Sequence, residues 1–231
     1  MNRTTTIRPI PLALSGLIAL FAALVALALS GGHDAAAHGS SHYTSESAGA
    51  ITQKQLAFRN EMRRLWEDHV TWTRLAVISL VAGTPDAEAA VSRLLRNQVD
   101  IGRAVAPYYG KPAGTALTGL LREHIVVAAD LIAAAKAGDE ARQAEATAAW
   151  AANADEIATF LSKANPRYWK VGEMRAMLSS HLRLTTAEVV ARLQQRWAAD
   201  VAAYDRIHRQ ALGMADMLSV GIEKQFPSRF R

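Results

Sequence analysis

Three histidines, His69, His124 and His181, each occupy the middle of an apolar stripe with helical spacing. Apolar residues recur there every three or four positions, so each ring is expected to face the protein interior. An imidazole buried without a partner costs about 1–3 kcal/mol. Rings from separate helices of a bundle can meet that requirement by converging around a ligand. The pattern therefore predicts a site for a metal ion or a small molecule.

The cofactor that these residue types suggest is a divalent transition metal or copper, because neutral imidazole is a ligand for zinc, copper, iron and nickel. Thioether sulfur favours Cu(I), and three methionines share helix faces with His69 or His181: Met62, Met174 and Met177. Other polar side chains are expected to support the rings as a second layer: Glu67, Thr73, Glu123, Asn153 and Thr185.

An alternative interpretation needs no ligand. A histidine on an apolar face often bonds a carbonyl, a hydroxyl or a carboxylate, and such a buried polar network can serve only to fix the register of the helices. The Glu-x-x-His pattern of di-iron bundles is missing from the predicted helices. The pair Asp205 and His208 has a comparable spacing, but it is a single pair.

An enzyme is the least supported interpretation. It would require a metal with an open coordination position and a nearby acid such as Glu67 or Glu123. Phosphate-loop, dinucleotide-binding and nucleophile-elbow motifs are not found in the sequence. No catalytic residue is therefore predicted, and a binding or sensing module is favoured over a structural or interaction protein.

The predicted fold class is all-α, an antiparallel bundle of five to six helices with a long C-terminal helix. Half of the 231 residues are hydrophobic, alanine is abundant and strand-like alternation is missing. Thr185 and Glu188 fit a capping box, so Thr185 is expected to precede the last helix. Short connections favour antiparallel neighbours. The predicted helices cover about residues 56–81, 87–105, 115–137, 140–163, 172–182 and 186–223.

The N-terminal segment is typical of an export signal. Basic residues precede an apolar run from Ile10 to Leu29, and a small-residue cleavage pattern ends at Ala37. Residues 1–37 are therefore predicted to be a signal peptide. An uncleaved signal anchor is the alternative, because a run of about 20 apolar residues can span a bilayer and would tether the protein to the membrane. Both predictions place the rest of the chain outside the cytoplasm, in the periplasm or secreted.

Residues 38–54 are predicted to be a flexible tether, and residues 55–231 a single helical-bundle domain. Three histidines lie in or just before the tether: His33, His38 and His42. Cleavage after Ala37 would expose His38 as an N-terminal residue able to chelate copper, although chance placement in a linker is the simpler explanation.

Composition excludes several kinds of site. The chain has no cysteine, so disulfides, zinc-thiolate sites, iron–sulfur clusters and covalently attached haem are ruled out. The net charge is +5, and the basic residues are mixed with acidic ones along the chain. No block of basic residues is interleaved with aromatic residues. Nucleic acid is therefore not an expected partner.

Several segments together resemble an uncharacterised group of bacterial helical proteins, many of them exported. The segments are WEDHVTWTR at 66–74, LRN at 95–97, PYYG at 107–110, EH at 123–124, NAD at 153–155 and HLRLT at 181–185. The resemblance extends over roughly residues 55–225 and implies a single domain. Some members carry the name acetylglutamate kinase. This sequence has neither the strands nor the glycine-rich phosphate loops of that fold, so the resemblance transfers no activity.

Overall fold

The computed structural model describes residues 51–231. The predicted signal segment and residues 38–50 of the predicted tether lie outside this part of the chain, and so do His33, His38 and His42. Within residues 51–231, no helix is both long enough and apolar enough to cross a membrane.

The described chain is all helical, which confirms the predicted fold class. Six helices follow one another through short connections, and a 3₁₀ turn over Pro227–Phe230 ends the chain. The helices are α1 (Gln53–Ala82), α2 (Ala87–Tyr109), α3 (Lys111–Ala137), α4 (Glu140–Ala164), α5 (Val171–Leu193) and α6 (Trp197–Gln225).

The helices form a closed ring of three hairpins. Each helix packs against the next one in the chain, and α6 packs against α1. Helix α1 also contacts α3 and α5 across the bundle. Because short connections make neighbours antiparallel, α1, α3 and α5 run in the same direction. The three predicted histidines lie on α1, α3 and α5. Because these helices are parallel, residues at the same distance from the helix ends lie at the same height along the bundle axis.

The turn inside each hairpin has the same conformation at the same register. Gly83, Gly138 and Gln195 all have left-handed backbone angles, with φ of 70°, 71° and 56°. Each lies fourteen residues after the histidine of its hairpin. Glycine adopts this conformation easily, whereas a residue with a Cβ atom does so rarely. The third turn therefore carries no sequence signal that would distinguish it from helix.

The predicted start of the last helix was wrong for this reason. Helix α5 continues to Leu193, and α6 begins at Trp197, not near 186. The capping box at Thr185 does not form. The hydroxyl of Thr185 instead donates to the carbonyl of His181 at 3.0 Å inside the helix. A hydroxyl one turn later can satisfy such a carbonyl as readily as it caps a helix, so the local pattern alone was ambiguous.

The two ends of the described chain close the ring. Thr52 caps α1 through a reciprocal pair of hydrogen bonds with Gln55, so the helix begins inside the predicted tether. The Thr52 hydroxyl also donates to the carbonyl of Phe230 at 2.6 Å. Arg59 binds the buried carboxylate of Glu223 in α6. The predicted tether therefore extended two residues too far, since α1 begins at Gln53. The cap at Thr52 is local, whereas the contacts of Thr52 with Phe230 and of Arg59 with Glu223 join residues distant in sequence.

Helices α2 and α3 approach each other closely at two glycines. A Cβ atom on Gly102 would lie 2.5 Å from the carbonyl oxygen of Gly114 and would overlap the hydroxyl of Thr118. Backbone cannot yield at this point, so Gly102→Ala should lower the free energy of unfolding by about 1–3 kcal/mol. Gly213→Ala is the matched control, because nothing lies within 4 Å of a Cβ there. This control should stabilise α6 by about 0.5–1 kcal/mol. If urea unfolding showed that both variants lose the same free energy of unfolding, the predicted close packing at Gly102 would be contradicted.

Candidate site at the histidine cluster

The three histidines meet inside the bundle. The ring centroid of His181 lies 6.0 Å from that of His69 and 6.1 Å from that of His124. Each residue is buried, with 9%, 5% and 6% of its surface exposed for His69, His124 and His181. The convergence predicted from the apolar stripes therefore occurs, with His181 between the other two rings.

An amide side chain on the second helix of the hairpin holds His124, and another holds His181. Nδ1 of His124 lies 2.9 Å from Oδ1 of Asn153, and Nδ1 of His181 lies 3.1 Å from Oε1 of Gln210. Each amide also donates through its nitrogen to a backbone carbonyl, Asn153 to Leu120 and Gln210 to Met177. Those carbonyls precede the respective histidines by one helical turn, so each amide links the ring to its own helix.

The first hairpin divides this task between two amides. Asn97 donates to the carbonyl of Leu65, one turn before His69, at 3.0 Å. Its neighbour Gln98 approaches the ring, with Nε2 3.3 Å from Nδ1 of His69. The amino group of Gln98 also donates to the carbonyl of Leu94 and to Oδ1 of Asn97. Both amides are fully buried.

The histidine and its ring-facing amide are 29 residues apart in every hairpin. Together with the shared turn position, this spacing makes the bundle a threefold repeat of one helical hairpin. The sequence analysis missed Gln210 and the ring contact of Gln98. A search for an amide at a constant distance after each histidine would have found both.

The rings are neutral at ordinary pH. Burial lowers the pKa of His69 to about 3, and repulsion from His181 and His124 adds to the effect. Burial likewise lowers the pKa of His124 to about 4. Burial also lowers the pKa of His181, although its hydrogen bond with Gln210 opposes the shift. Neutral imidazole is the form that binds a metal.

The other predicted second-layer residues do not join the cluster. Glu67 and Glu123 are exposed, and Glu67 accepts a hydrogen bond from Nε2 of His208 at 2.8 Å. This pairing also explains His208, which does not form a site with Asp205. Of the predicted second layer, only Asn153 contacts a cluster ring through its side chain, because its helix faces α3 directly. Of the three methionines that share faces with His69 or His181, Met62 and Met174 are fully buried in the hydrophobic core, and Met177 packs against it partly buried.

Three buried polar atoms beside the cluster lack a hydrogen-bond partner within residues 51–231. They are Oε1 of Gln98, Nε1 of Trp150 and Oγ1 of Thr73. The ring of Trp150 lies 5.4 Å from that of His124, and Thr73 follows His69 by one helical turn. Native proteins rarely leave buried polar groups without partners. Ordered water or a polar ligand near the rings would supply the missing partners.

The fit to a metal ion is incomplete as the side chains stand. Among residues 51–231, no three histidine, aspartate or glutamate side chains are close enough to hold a metal ion. Three imidazoles bound to tetrahedral zinc through bonds of about 2.0–2.1 Å would have centroids roughly 5 Å apart. The observed separations of 6.0 and 6.1 Å exceed this value. A metal would have to draw His181 about 1 Å closer to each of the other two rings and to bring His69 and His124 equally close to one another.

A second buried polar cluster lies where α1, α5 and α6 meet. Arg74 binds the carboxylates of Glu188 and Asp200, each only 1% exposed, and Arg192 binds Asp200 at 3.1 Å. The guanidinium of Arg74 also lies over the ring of Tyr204. Two cations balance two anions here, so the cluster is a neutral, internally satisfied network that joins three helices.

Comparison with known proteins adds no functional information. No protein-family model, no curated protein and no solved structure matches the chain. The resemblance to exported bacterial helical proteins stays a prediction, and the functional argument depends on the geometry of the site.

Proposed function

We propose that the protein is an extracytoplasmic binding module that holds a transition-metal ion through the Nε2 atoms of His69, His124 and His181. The observation that carries the proposal is the convergence of three neutral rings, of which His124 and His181 are held at Nδ1 by amide oxygens and His69 faces the amide of Gln98. Within residues 51–231, no group hydrogen-bonds any of the three Nε2 atoms. Because Nδ1 and Nε2 lie on opposite sides of the ring, pinning Nδ1 turns Nε2 away from the amide.

The amide supports resemble those of known metal sites. A metal-bound histidine usually donates its other N–H to an oxygen, which fixes the ring and its tautomer. Asn153 and Gln210 offer such an oxygen to His124 and His181. The extracytoplasmic location is part of the proposal and rests on the apolar run from Ile10 to Leu29 and its basic flank.

Titration with Zn²⁺ tests the proposal. We expect the full-length protein without a His-tag to bind one equivalent, and His181→Asn to weaken binding by at least about 100-fold, since the central ligand is lost. The matched control is His208→Asn, which removes the bundle histidine outside the cluster. Both variants are made in a background with His33, His38 and His42 changed to asparagine, so that the N-terminal segment cannot contribute metal binding.

A structural role without a ligand is the second candidate, and the amide contact of each ring favours it. In that case the histidines would fix the register of the three hairpins. The same experiment separates the two functions. A protein that binds no Zn²⁺, but that is destabilised by His181→Asn and not by His208→Asn, would establish the structural role and overturn the proposed metal site.

A further inference from the structure

We infer that Gln98 gives His69 the opposite tautomer from His124 and His181, and that it thereby lowers the affinity of the cluster for a transition metal. This inference rests on the proposed binding function of the cluster. It assigns to Gln98 the part of a positioning residue, which acts on a ligand through the ring of His69.

Backbone carbonyls fix the tautomer of two rings. A carbonyl only accepts hydrogen bonds, so Asn153 must turn its amino group toward Leu120, and Gln210 must turn its amino group toward Met177. The amide oxygen of each then faces Nδ1 of the ring, at 2.9 Å for His124 and 3.1 Å for His181. An oxygen there requires an N–H at Nδ1. Nε2 of both rings therefore carries a lone pair.

The same reasoning gives the opposite result in the first hairpin. Asn97 turns its amino group to the carbonyl of Leu65, which leaves its oxygen facing Gln98. The amino group of Gln98 donates to that oxygen at 3.1 Å and to the carbonyl of Leu94 at 2.8 Å. This amino group, and not an oxygen, lies 3.3 Å from Nδ1 of His69. Two N–H groups cannot face each other favourably, so His69 carries its proton on Nε2.

The cluster consequently offers two lone pairs and one N–H to a ligand. A metal ion needs three lone pairs, so His69 would have to move its proton to Nδ1 against the amino group of Gln98. Gln98 thus opposes the proton arrangement that a metal would require.

Replacing Gln98 with an apolar residue should allow His69 to carry its proton on Nδ1, as His124 and His181 do. In Gln98→Met, the oxygen of Asn97 loses its donor and becomes available to an N–H at Nδ1 of His69. The substitution also removes the donor to the carbonyl of Leu94 and to Oδ1 of Asn97, so helical circular dichroism and urea unfolding of the variant accompany the metal measurements.

The test compares Gln98→Met with Gln210→Met, the same substitution at the equivalent position of the third hairpin. Nitrogen-15 spectra of the metal-free protein should show N–H at Nε2 for His69 and at Nδ1 for His124 and His181. His69 should switch to Nδ1–H in Gln98→Met. Zn²⁺ should then bind roughly tenfold more tightly to Gln98→Met and roughly 10–100-fold more weakly to Gln210→Met, which loses a ring support.

The two measurements separate the inference from the proposed function. The same tautomer in all three rings of the wild-type protein would overturn the inference, whether or not Zn²⁺ binds. The expected tautomers with no Zn²⁺ binding in any variant would sustain the assignment of Gln98 and remove the metal site. If Gln98→Met and Gln210→Met weakened Zn²⁺ binding equally, Gln98 would not discriminate against metals.

Discussion

Lowering the pH from 7 to 5 is expected to destabilise the metal-free bundle by about 2 kcal/mol for each of His69 and His124. Burial, reinforced by the neighbouring rings, holds their pKa values at about 3 and about 4 in the folded protein. The unfolded chain takes up these protons as the pH falls below about 6.5, while the folded chain does not. Full stability is therefore present above that pH and is lost progressively below it.

Urea unfolding at pH 7, 6 and 5, followed by helical circular dichroism, measures this effect. Each histidine should contribute a slope of about 1.4 kcal/mol per pH unit in the window below pH 6.5. Carboxylates with ordinary pKa values contribute little between pH 5 and 7, because they are ionised in both states. Glu188, whose pKa is raised by burial, acts in the opposite direction to the histidines. His124→Gln should lower the slope by one histidine's share. A stability that is constant from pH 7 to 5 would show that the rings are not buried as neutral groups.

Arg74→Met is expected to lower the free energy of unfolding by about 3–5 kcal/mol, because it leaves buried carboxylates without their main counter-charge. Glu188 and Asp200 are each 1% exposed and both bind Arg74. Burial raises the pKa of Glu188 even with Arg74 present. Burial also raises the pKa of Asp200, but hydrogen bonds from Arg74 and Arg192 outweigh it and the net shift is downward. Arg192 can compensate only part of this loss.

An exposed ion pair on the same helix supplies the control. Arg63 binds Asp216 with about half of the arginine side chain exposed, 52%. Arg63→Met should therefore cost no more than about 1 kcal/mol. Adding Glu188→Gln to Arg74→Met should recover part of the loss by removing one uncompensated charge. Chemical unfolding at pH 7 compares the variants, and equal losses for Arg74→Met and Arg63→Met would contradict the predicted energetic importance of the buried network.

Hydrophobic periodicity was enough to predict the helical class and the inward direction of the three histidine side chains. The prediction succeeded because an apolar helix face repeats every 3.6 residues, and a short stretch of sequence is enough to detect that period. Glycine marked two of the three hairpin turns for the same kind of local reason. The third turn, at Gln195, was missed because it carries no local sequence signal. The prediction that Thr185 precedes the last helix was wrong because its local pattern also fits a hydroxyl inside a helix.

The amino-acid sequence by itself determined that this chain forms an α-helical bundle and that His69, His124 and His181 point into it. Only the tertiary structure decided which amide holds each ring, that α1, α3 and α5 bring the rings to one level, and that Gln98 presents an amino group where Asn153 and Gln210 present oxygens. Such contacts join residues 29 positions apart on facing helices. Their geometry depends on how the helices pack together, which no local pattern of residues specifies.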